Sequence, residues 1–138
     1  MKTIPVHGQV REEACTIMVV DEDEAMRALL TDALQENNCR VVESHDGNEA
    51  LNALKRVKPQ VIVTDLKIPD GGYPYLRLLK ASSPESSIVV MTAHGDSQSK
   101  AKALEHGATR YFEKPLHIKD LKSFICQICL INPCGNIS

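Results

Sequence analysis

Five short apolar runs alternate with amphipathic stretches along this chain, and this alternation limits the possible folds more than any other feature of the sequence. The apolar runs are typical of buried parallel strands, and the intervening stretches place apolar residues at helical spacing. The predicted strands are 15–20, 39–44, 60–65, 87–92 and 109–113, and the predicted helices are 24–37, 47–58, 74–82, 97–107 and 118–130. Five βα units with short connections predict an α/β fold, a doubly wound five-stranded parallel sheet with helices on both faces.

The composition fits one globular domain. Of the 138 residues, 43% are hydrophobic and 25% are charged, and the net charge of −2 provides no basic field for direct nucleic-acid binding. No apolar run approaches the roughly 20 residues that span a bilayer, so no membrane contact is predicted. The first residues form a polar segment rather than a signal peptide. We therefore expect a cytoplasmic domain over 14–130, a flexible N-terminal tail over 1–13 and a C-terminal tail over 131–138.

The five cysteines do not have the spacing of a disulfide framework. They are Cys15, Cys39, Cys126, Cys129 and Cys134, an odd and scattered set. The Cys126-x-x-Cys129 pair invites a zinc or redox interpretation, but its helical context and the lack of an obvious fourth ligand argue against both. We expect buried or half-buried structural cysteines.

Polar side chains follow four of the five predicted strands, at the edge where ligands bind in doubly wound sheets. They are Asp21 and Glu22 after the first strand, Asp65 at the end of the third, Thr92 at the end of the fourth, and Glu113 and Lys114 at the end of the fifth. Pro115 keeps the preceding Lys114 out of helical geometry, which directs its ammonium away from the strand end. If the sheet forms, carboxylates, a hydroxyl and an ammonium share one small area.

Such a cluster has the components of a phosphoryl-accepting site. Carboxylates that lie close together raise each other's pKa, and a hard cation such as Mg²⁺ relieves their repulsion. An aspartate can accept a phosphoryl group as an acyl phosphate, and Asp65 at the central strand is the natural nucleophile. A metal ion and Lys114 would neutralise the transferred group, and the Thr92 hydroxyl would donate to one of its oxygens.

Four motifs in chain order carry a family resemblance. They are "VVDEDEAMR", "VIVTDLKIP", "VVMTAHGD" and "YFEKPL". Each alone is weak, but four in order, each at a strand end, resemble the receiver domain of the two-component response regulators, in particular the chemotaxis-regulator type. The resemblance covers about residues 14 to 130. It implies a flavodoxin-like (βα)5 fold with strand order 2-1-3-4-5 and a phosphoacceptor signalling domain that catalyses only its own phosphoryl transfer and dephosphorylation.

The resemblance also implies roles for individual residues. Asp65 would accept a phosphoryl group from a phosphohistidine of a sensor histidine kinase or phosphotransfer protein. The implied ligands of Mg²⁺ are Asp21, Glu22, Asp65 and the backbone carbonyl of Lys67. Thr92 and Lys114 would contact the phosphoryl oxygens, and Thr92 and Tyr111 would form the switch.

The resemblance further implies a surface through which the switch acts. Phosphorylation would alter the face made by the fourth helix, the fifth strand and the fifth helix. A downstream effector protein or a missing output domain would bind that face. Formation of a homodimer through the same face is a further alternative.

Two departures from the family pattern leave alternatives open. The stretch "PDGGYPYLRLLK" contains Gly71 and Gly72, which add chain freedom, and Glu22 is one methylene longer than the commoner aspartate. The altered loop motivates a phosphorylation-independent interaction module with a receiver fold. The "DED" at 21–23 also superficially fits a small phosphatase of the haloacid dehalogenase type. Asp21, Glu22 and Asp23 could instead be charges at a helix start, and Tyr111 could be plain core.

Overall fold

Strands and helices alternate strictly along the computed structural model, which describes residues 15–36, 39–93, 97–114 and 117–129. The elements are β1 Thr16–Val20, α1 Glu24–Gln35, β2 Arg40–Ser44, α2 Gly47–Ala53, β3 Val61–Asp65, α3 Tyr73–Ser82, β4 Ser87–Thr92, α4 Ser97–Glu105, β5 Arg110–Glu113 and α5 Ile118–Cys129. Every predicted strand and helix is present. The tails predicted at 1–13 and 131–138, and Pro115, lie outside the described residues. In the described part, no helix has the length and apolarity needed to cross a membrane.

The five strands form one parallel sheet in the order β2-β1-β3-β4-β5. This confirms the predicted doubly wound, flavodoxin-like topology. The chain leaves β1 toward β2 on one side and then crosses to β3 on the other, so the strand order reverses between β1 and β3. In such sheets the crevice at this reversal is where ligands bind, and Asp21 and Asp65 lie on its two sides.

Both faces of the sheet are buried, because strand residues alternate between two core clusters. One cluster joins Met18, Val20, Ile62, Ile88 and Val90 to apolar residues of α2, α3 and α4, including Ala50, Leu76, Leu79 and Ala103. The other joins Ile17, Val19, Val61, Val63 and Met91 to α1 and α5 through Leu30, Leu34, Leu121 and Ile125. A strand buried on both faces has no polar alternation, which explains the continuous apolar runs of the sequence.

The sequence predicts a helix over 47–58, but α2 is shorter and ends at Ala53. The amides of Lys55 and Arg56 donate to carbonyls three residues back, at 3.2 and 2.9 Å, and this tighter turn stops the helix. Pro59 then disfavours helical geometry at Lys58. The predicted C-cap of α4 is confirmed, because Gly107 has φ of +118° and the amide of Ala108 donates to the Ala103 carbonyl over 3.0 Å.

The glycine-rich loop after β3 is held by backbone hydrogen bonds. The amide of Gly71 donates to the Ile68 carbonyl and that of Gly72 to the Leu66 carbonyl, both at 3.0 Å. A Cβ on Gly71 would lie 2.5 Å from the Leu66 carbonyl oxygen, so this close approach requires glycine. Gly72 has φ of +90° and precedes α3, which begins at Tyr73. The two glycines thus form a tight turn, whereas the sequence predicted added freedom.

The cysteine prediction is wrong in part, because Cys15 and Cys129 form a disulfide and Cys126 is also disulfide-bonded. The Cα atoms of Cys15 and Cys129 are 6.2 Å apart, within the range that a disulfide spans. Both residues belong to the core cluster between the sheet, α1 and α5. The end of α5 packs beside the start of β1, so residues 114 positions apart in sequence become neighbours.

Candidate functional site

The ammonium group of Lys114 lies between the carboxylates of Asp21 and Asp65. Its Nζ is 2.9 Å from Oδ2 of Asp21 and 3.0 Å from Oδ2 of Asp65. Asp21 directly follows β1, Asp65 ends β3, and Lys114 directly follows β5. The fold therefore brings three of the residues singled out in the sequence into direct contact at one edge of the sheet.

Backbone hydrogen bonds to neighbouring strand ends fix the positions of Asp21 and Lys114. The amide of Lys114 donates to the Thr92 carbonyl over 2.8 Å, which continues the β4–β5 pairing by one step. The amide of Asp21 donates to the Ser44 carbonyl over 3.2 Å. The sequence offered no candidate at the end of β2, and the contribution of β2 is this backbone acceptor.

Each carboxylate has one oxygen held by a loop amide and one oxygen turned toward Lys114. Oδ1 of Asp21 accepts from the amide of Asp23 at 2.9 Å, and Oδ1 of Asp65 accepts from the amide of Lys67 at 3.0 Å. Asp21 is 1% exposed and Asp65 is 8% exposed. Both aspartates are therefore oriented before any ligand binds.

The charges of the cluster support one another. Burial of the Lys114 ammonium acts to lower its pKa, but the hydrogen bonds to Asp21 and Asp65 outweigh burial and raise the pKa of Lys114. A lysine that stays charged beside two carboxylates offsets part of the cost of burying them. It also marks a position where the site favours positive charge.

The three consecutive acids at 21–23 have different environments. Asp21 reaches the cluster, whereas Asp23 caps α1 by accepting from the amides of Ala25 and Met26 at 3.0 and 3.3 Å. Glu22 is exposed between them. The helix-start interpretation therefore holds for Asp23 and fails for Asp21.

The donor set of the cluster fits a hard cation in part. Two buried carboxylates aim one oxygen each at a single cationic position, and carboxylate oxygens are the ligands that Mg²⁺ prefers. Within the described ranges, no group of three or more His, Cys, Asp or Glu side chains is arranged to hold a metal ion. Glu22 and Lys67 are exposed residues next to β1 and β3, and their predicted metal contacts stay predictions.

Thr92 and Tyr111 occupy the half of the sheet nearest Lys114. Thr92 ends β4, is 7% exposed and pairs with Glu113 of β5. Tyr111 is half-buried, pairs with Val90 and packs against the core cluster that contains α4. These positions agree with either a switch role or a core role for Tyr111.

Arg27 is a site residue that the sequence reasoning missed. Its Nη1 donates to the Asp21 carbonyl at 2.7 Å, and its Nε lies 3.1 Å from Oε1 of Glu43. The feature of the sequence that could have indicated Arg27 is its position one turn into α1, four residues after the helix cap Asp23. Arg27 thus fixes the β1–α1 connection through the backbone carbonyl of Asp21, whereas Lys114 contacts the Asp21 carboxylate.

Comparison with known proteins agrees with this geometry. The family model for the response regulator receiver domain matches residues 17–125. The DNA-binding transcriptional regulator NtrC of Proteus hauseri is 32% identical over 112 residues, which cover 79% of this chain and 23% of that protein. The phosphate regulon transcriptional regulatory protein PhoB of Klebsiella pneumoniae is 32% identical over 108 residues, 76% of this chain and 47% of that protein. The chain thus spans less than half the length of these two relatives.

Solved structures give the same result for the fold. The beryllofluoride-activated NtrC4 receiver domain dimer matches with a TM-score of 0.78 and 28% identity, covering 83% of this chain and 96% of that one. The BeF3-activated DrrB receiver domain matches with a TM-score of 0.78 and 29% identity, covering 85% of this chain and 98% of that one. With the strand order and the aspartate–lysine cluster at the strand ends, these matches show that the chain belongs to the response regulator receiver domain family.

Proposed function

We propose that this domain accepts a phosphoryl group on Asp65 from a phosphohistidine of a sensor histidine kinase or a phosphotransfer protein. The observation that carries the proposal is the position of Lys114 Nζ between Oδ2 of Asp65 and Oδ2 of Asp21. Receiver domains of response regulators are signalling domains, and this cluster lies at the crevice where their sheet topology places ligands.

In the proposed reaction, a carboxylate oxygen of Asp65 attacks the phosphorus of the phosphohistidine. A P–O bond forms, the P–N bond breaks, and the electron pair of that bond returns to the imidazole of the donor. The Lys67 amide holds Oδ1 of Asp65 and so sets the direction of the carboxylate. Lys114 neutralises negative charge that builds up on the transferred oxygens, and Thr92 at the adjacent strand end donates to one of them.

The cation that receiver domains typically bind, Mg²⁺, would supply further neutralisation of the phosphoryl oxygens. Asp21, Glu22, Asp65 and the backbone carbonyl of Lys67 would hold it. Asp21 and Asp65 are already buried and oriented for a cation, whereas the longer side chain of Glu22 starts from an exposed position.

The proposed output is a change in the face formed by α4, β5 and α5. Phosphorylation adds negative charge beside Lys114 and alters its contacts, and Thr92 and Tyr111 would carry that change along β4 and β5. Only Ala103 of α4 is fully buried, which supports α4 as the element that shifts. A downstream effector, an output domain or a second copy of the domain would bind this face, and we place the domain, residues 14–130, in the cytoplasm.

Intact-mass spectrometry tests the acceptor. The wild-type protein is incubated with acetyl phosphate and Mg²⁺, with Asp65→Asn and Asp70→Asn in parallel. Asp70 is the matched control because it is exposed in the loop that follows Asp65, and its φ of 59° suits asparagine as well. We expect one added phosphoryl group in the wild type and Asp70→Asn, and none in Asp65→Asn or without Mg²⁺.

Addition to Asp65→Asn at the wild-type rate would contradict the proposal. A protein that refuses acetyl phosphate is tested next with phosphorylated histidine phosphotransfer protein as donor. If that donor fails too while circular dichroism shows an intact fold, the phosphorylation-independent interaction module becomes the better interpretation. Equal partner binding by the wild type and Asp65→Asn would support the same alternative.

A further inference from the structure

Three cysteine sulfur atoms meet at the edge of the sheet opposite the aspartate–lysine cluster. Cys15 precedes β1, Cys39 precedes β2, and Cys129 ends α5. Cys15 and Cys129 form a disulfide, and Sγ of Cys39 lies 3.5 Å from Sγ of Cys15. The disulfide therefore has a third cysteine in contact with one of its two sulfur atoms.

The backbone holds Cys15 and Cys39 side by side independently of the disulfide. The amide of Arg40 donates to the Cys15 carbonyl over 2.9 Å, and Thr16 pairs with Arg40 at the start of the β1–β2 ladder. Cys15 and Cys39 are 0% and 6% exposed, whereas Cys129 is half-buried. Cys15 thus has two alternative partners, one on the neighbouring strand and one on α5.

We propose that these three residues form a thiol–disulfide exchange site in which Cys15 is the shared sulfur. In the exchange step, the Cys39 thiolate attacks Sγ of Cys15, the Cys15–Cys129 bond breaks, and its electron pair leaves on Sγ of Cys129. The Cys39 thiol releases a proton to solvent and the Cys129 thiolate takes one up, so no net oxidation occurs. The product is a Cys15–Cys39 disulfide and a free Cys129 thiol.

Formation of the first disulfide from thiols needs a two-electron oxidant, and a small disulfide such as oxidised glutathione supplies it. Two protein thiols lose two electrons and two protons, and the glutathione disulfide becomes two thiols. The half-buried Cys129 is the sulfur that such a reagent reaches first.

The two disulfides have different structural consequences. The Cys15–Cys129 bond attaches the end of α5 to the start of β1, whereas a Cys15–Cys39 bond joins two strands that are already paired. Exchange therefore releases the end of α5 and leaves the sheet unchanged. Burial raises the pKa of the Cys39 thiol, which keeps the thiolate scarce, so we expect exchange over minutes to hours.

Peptide mapping without reduction tests the proposal on the full chain. Trypsin places Cys15 alone in peptide 12–27, Cys39 alone in peptide 28–40, and the last three cysteines together in peptide 123–138. The protein is equilibrated in buffers of reduced and oxidised glutathione, quenched in acid, alkylated with N-ethylmaleimide and digested. We expect two disulfide-linked products of peptide 12–27. In one it is linked to peptide 123–138, and fragmentation places the bond at Cys129. In the other it is linked to peptide 28–40.

Two variants sharpen the test. Cys129→Ser should shift peptide 12–27 almost entirely to its link with 28–40, and Cys39→Ser should leave only the link with 123–138. Absence of the 12–27 to 28–40 link from both the wild type and Cys129→Ser would overturn the proposal. If Cys129→Ser does not fold, the peptide map of the wild type alone tests the proposal. Retention of stoichiometric zinc by the reduced protein, with these thiols protected from maleimide, would also overturn it in favour of a metal site.

Discussion

Lys114 donates from Nζ to Oδ2 of Asp65 over 3.0 Å, so the proposed phosphoryl acceptor is part of an ion pair before any donor arrives. The side chains of both residues are mostly buried, at 15% and 12% exposure. Since Asp21 shares the same ammonium, removal of Lys114 leaves two carboxylates without their common cation. The lysine therefore stabilises the unphosphorylated fold as well as serving the proposed transfer.

Replacement of Lys114 by methionine should lower the free energy of unfolding at neutral pH by about 1–3 kcal/mol, because two buried carboxylates then repel each other. Urea denaturation measures the loss. Millimolar Mg²⁺ should restore more stability to this variant than it adds to the wild type, since the cation takes over the role of the ammonium. Lys119→Met on the exposed surface of α5 is the control. An equal effect of Mg²⁺ on both proteins would contradict a shared cation position.

The stabilisation by Lys114 should have a defined pH dependence. The folded protein raises the pKa of Lys114 above its ordinary value of 10.5. The stabilisation of the folded state by Lys114 is therefore fully present below pH 10.5, and it is lost as pH rises through the higher folded-state pKa. Burial also raises the pKa of Tyr75, which adds a second alkaline loss, but that loss is common to the wild type and Lys114→Met. The stability difference between these two proteins should hold from pH 7 to 9 and shrink in stronger alkali, as measured by urea denaturation.

The proximity of Asp21, Asp65 and Lys114 could be predicted from the sequence because each residue lies at the end of a strand or directly after it. In a parallel sheet the carboxyl ends of all strands lie at one edge. Asp21, Asp65 and Lys114 could therefore be placed together without knowledge of any side-chain contact. The Arg27 contacts could not be predicted in this way. They depend on how far α1 is rotated relative to β1, and periodicity does not determine that rotation.

The Cys15–Cys129 bond was missed for a related reason. Spacing of cysteines predicts a disulfide only when a local motif imposes the geometry, and these two residues are 114 positions apart. Their proximity follows from the packing of the end of α5 beside the start of β1, a tertiary relationship. The predicted end of α2 was wrong because the apolar pattern continues through Val57, whereas a tighter turn with hydrogen bonds to the third residue back begins at Lys55.

Gly47→Ala should disturb the loop that follows Asp65. A Cβ on Gly47 would overlap the Asp70 carbonyl oxygen, and the Gly47 amide donates to the Pro69 carbonyl over 2.8 Å. The loop must shift to make room, and we expect a loss of about 1–3 kcal/mol in the free energy of unfolding. The exposed neighbour provides the control, since Asn48→Ala should stay within about 0.5 kcal/mol of the wild type. If the free energy of unfolding of Gly47→Ala equals that of the wild type, the loop shifts without a cost in stability and the prediction is wrong.

A buried hydrogen bond couples α3 to the strand that carries Asp65. The hydroxyl groups of Tyr75 and Thr64 are 2.8 Å apart, and the Thr64 hydroxyl also donates to the Asp65 carbonyl over 2.9 Å. A double-mutant cycle of Tyr75→Phe and Thr64→Val in urea should give a coupling energy of about 0.5–1.5 kcal/mol. Additive losses within error would mean that the two hydroxyl groups act independently.

Reduction of the Cys15–Cys129 disulfide should lower the free energy of unfolding, since that bond closes a segment of 114 positions in the unfolded chain. The chain-entropy relation gives about 5 kcal/mol as an upper value for such a loop. A Cys15–Cys39 bond closes only 24 positions, for which the same relation gives about 3.5 kcal/mol. Oxidised Cys129→Ser should therefore lose less stability on reduction than the oxidised wild type loses, as compared by urea denaturation with and without dithiothreitol. If reduction leaves oxidised Cys129→Ser unchanged, the second disulfide does not form, and the exchange site is excluded on thermodynamic grounds independent of peptide mapping.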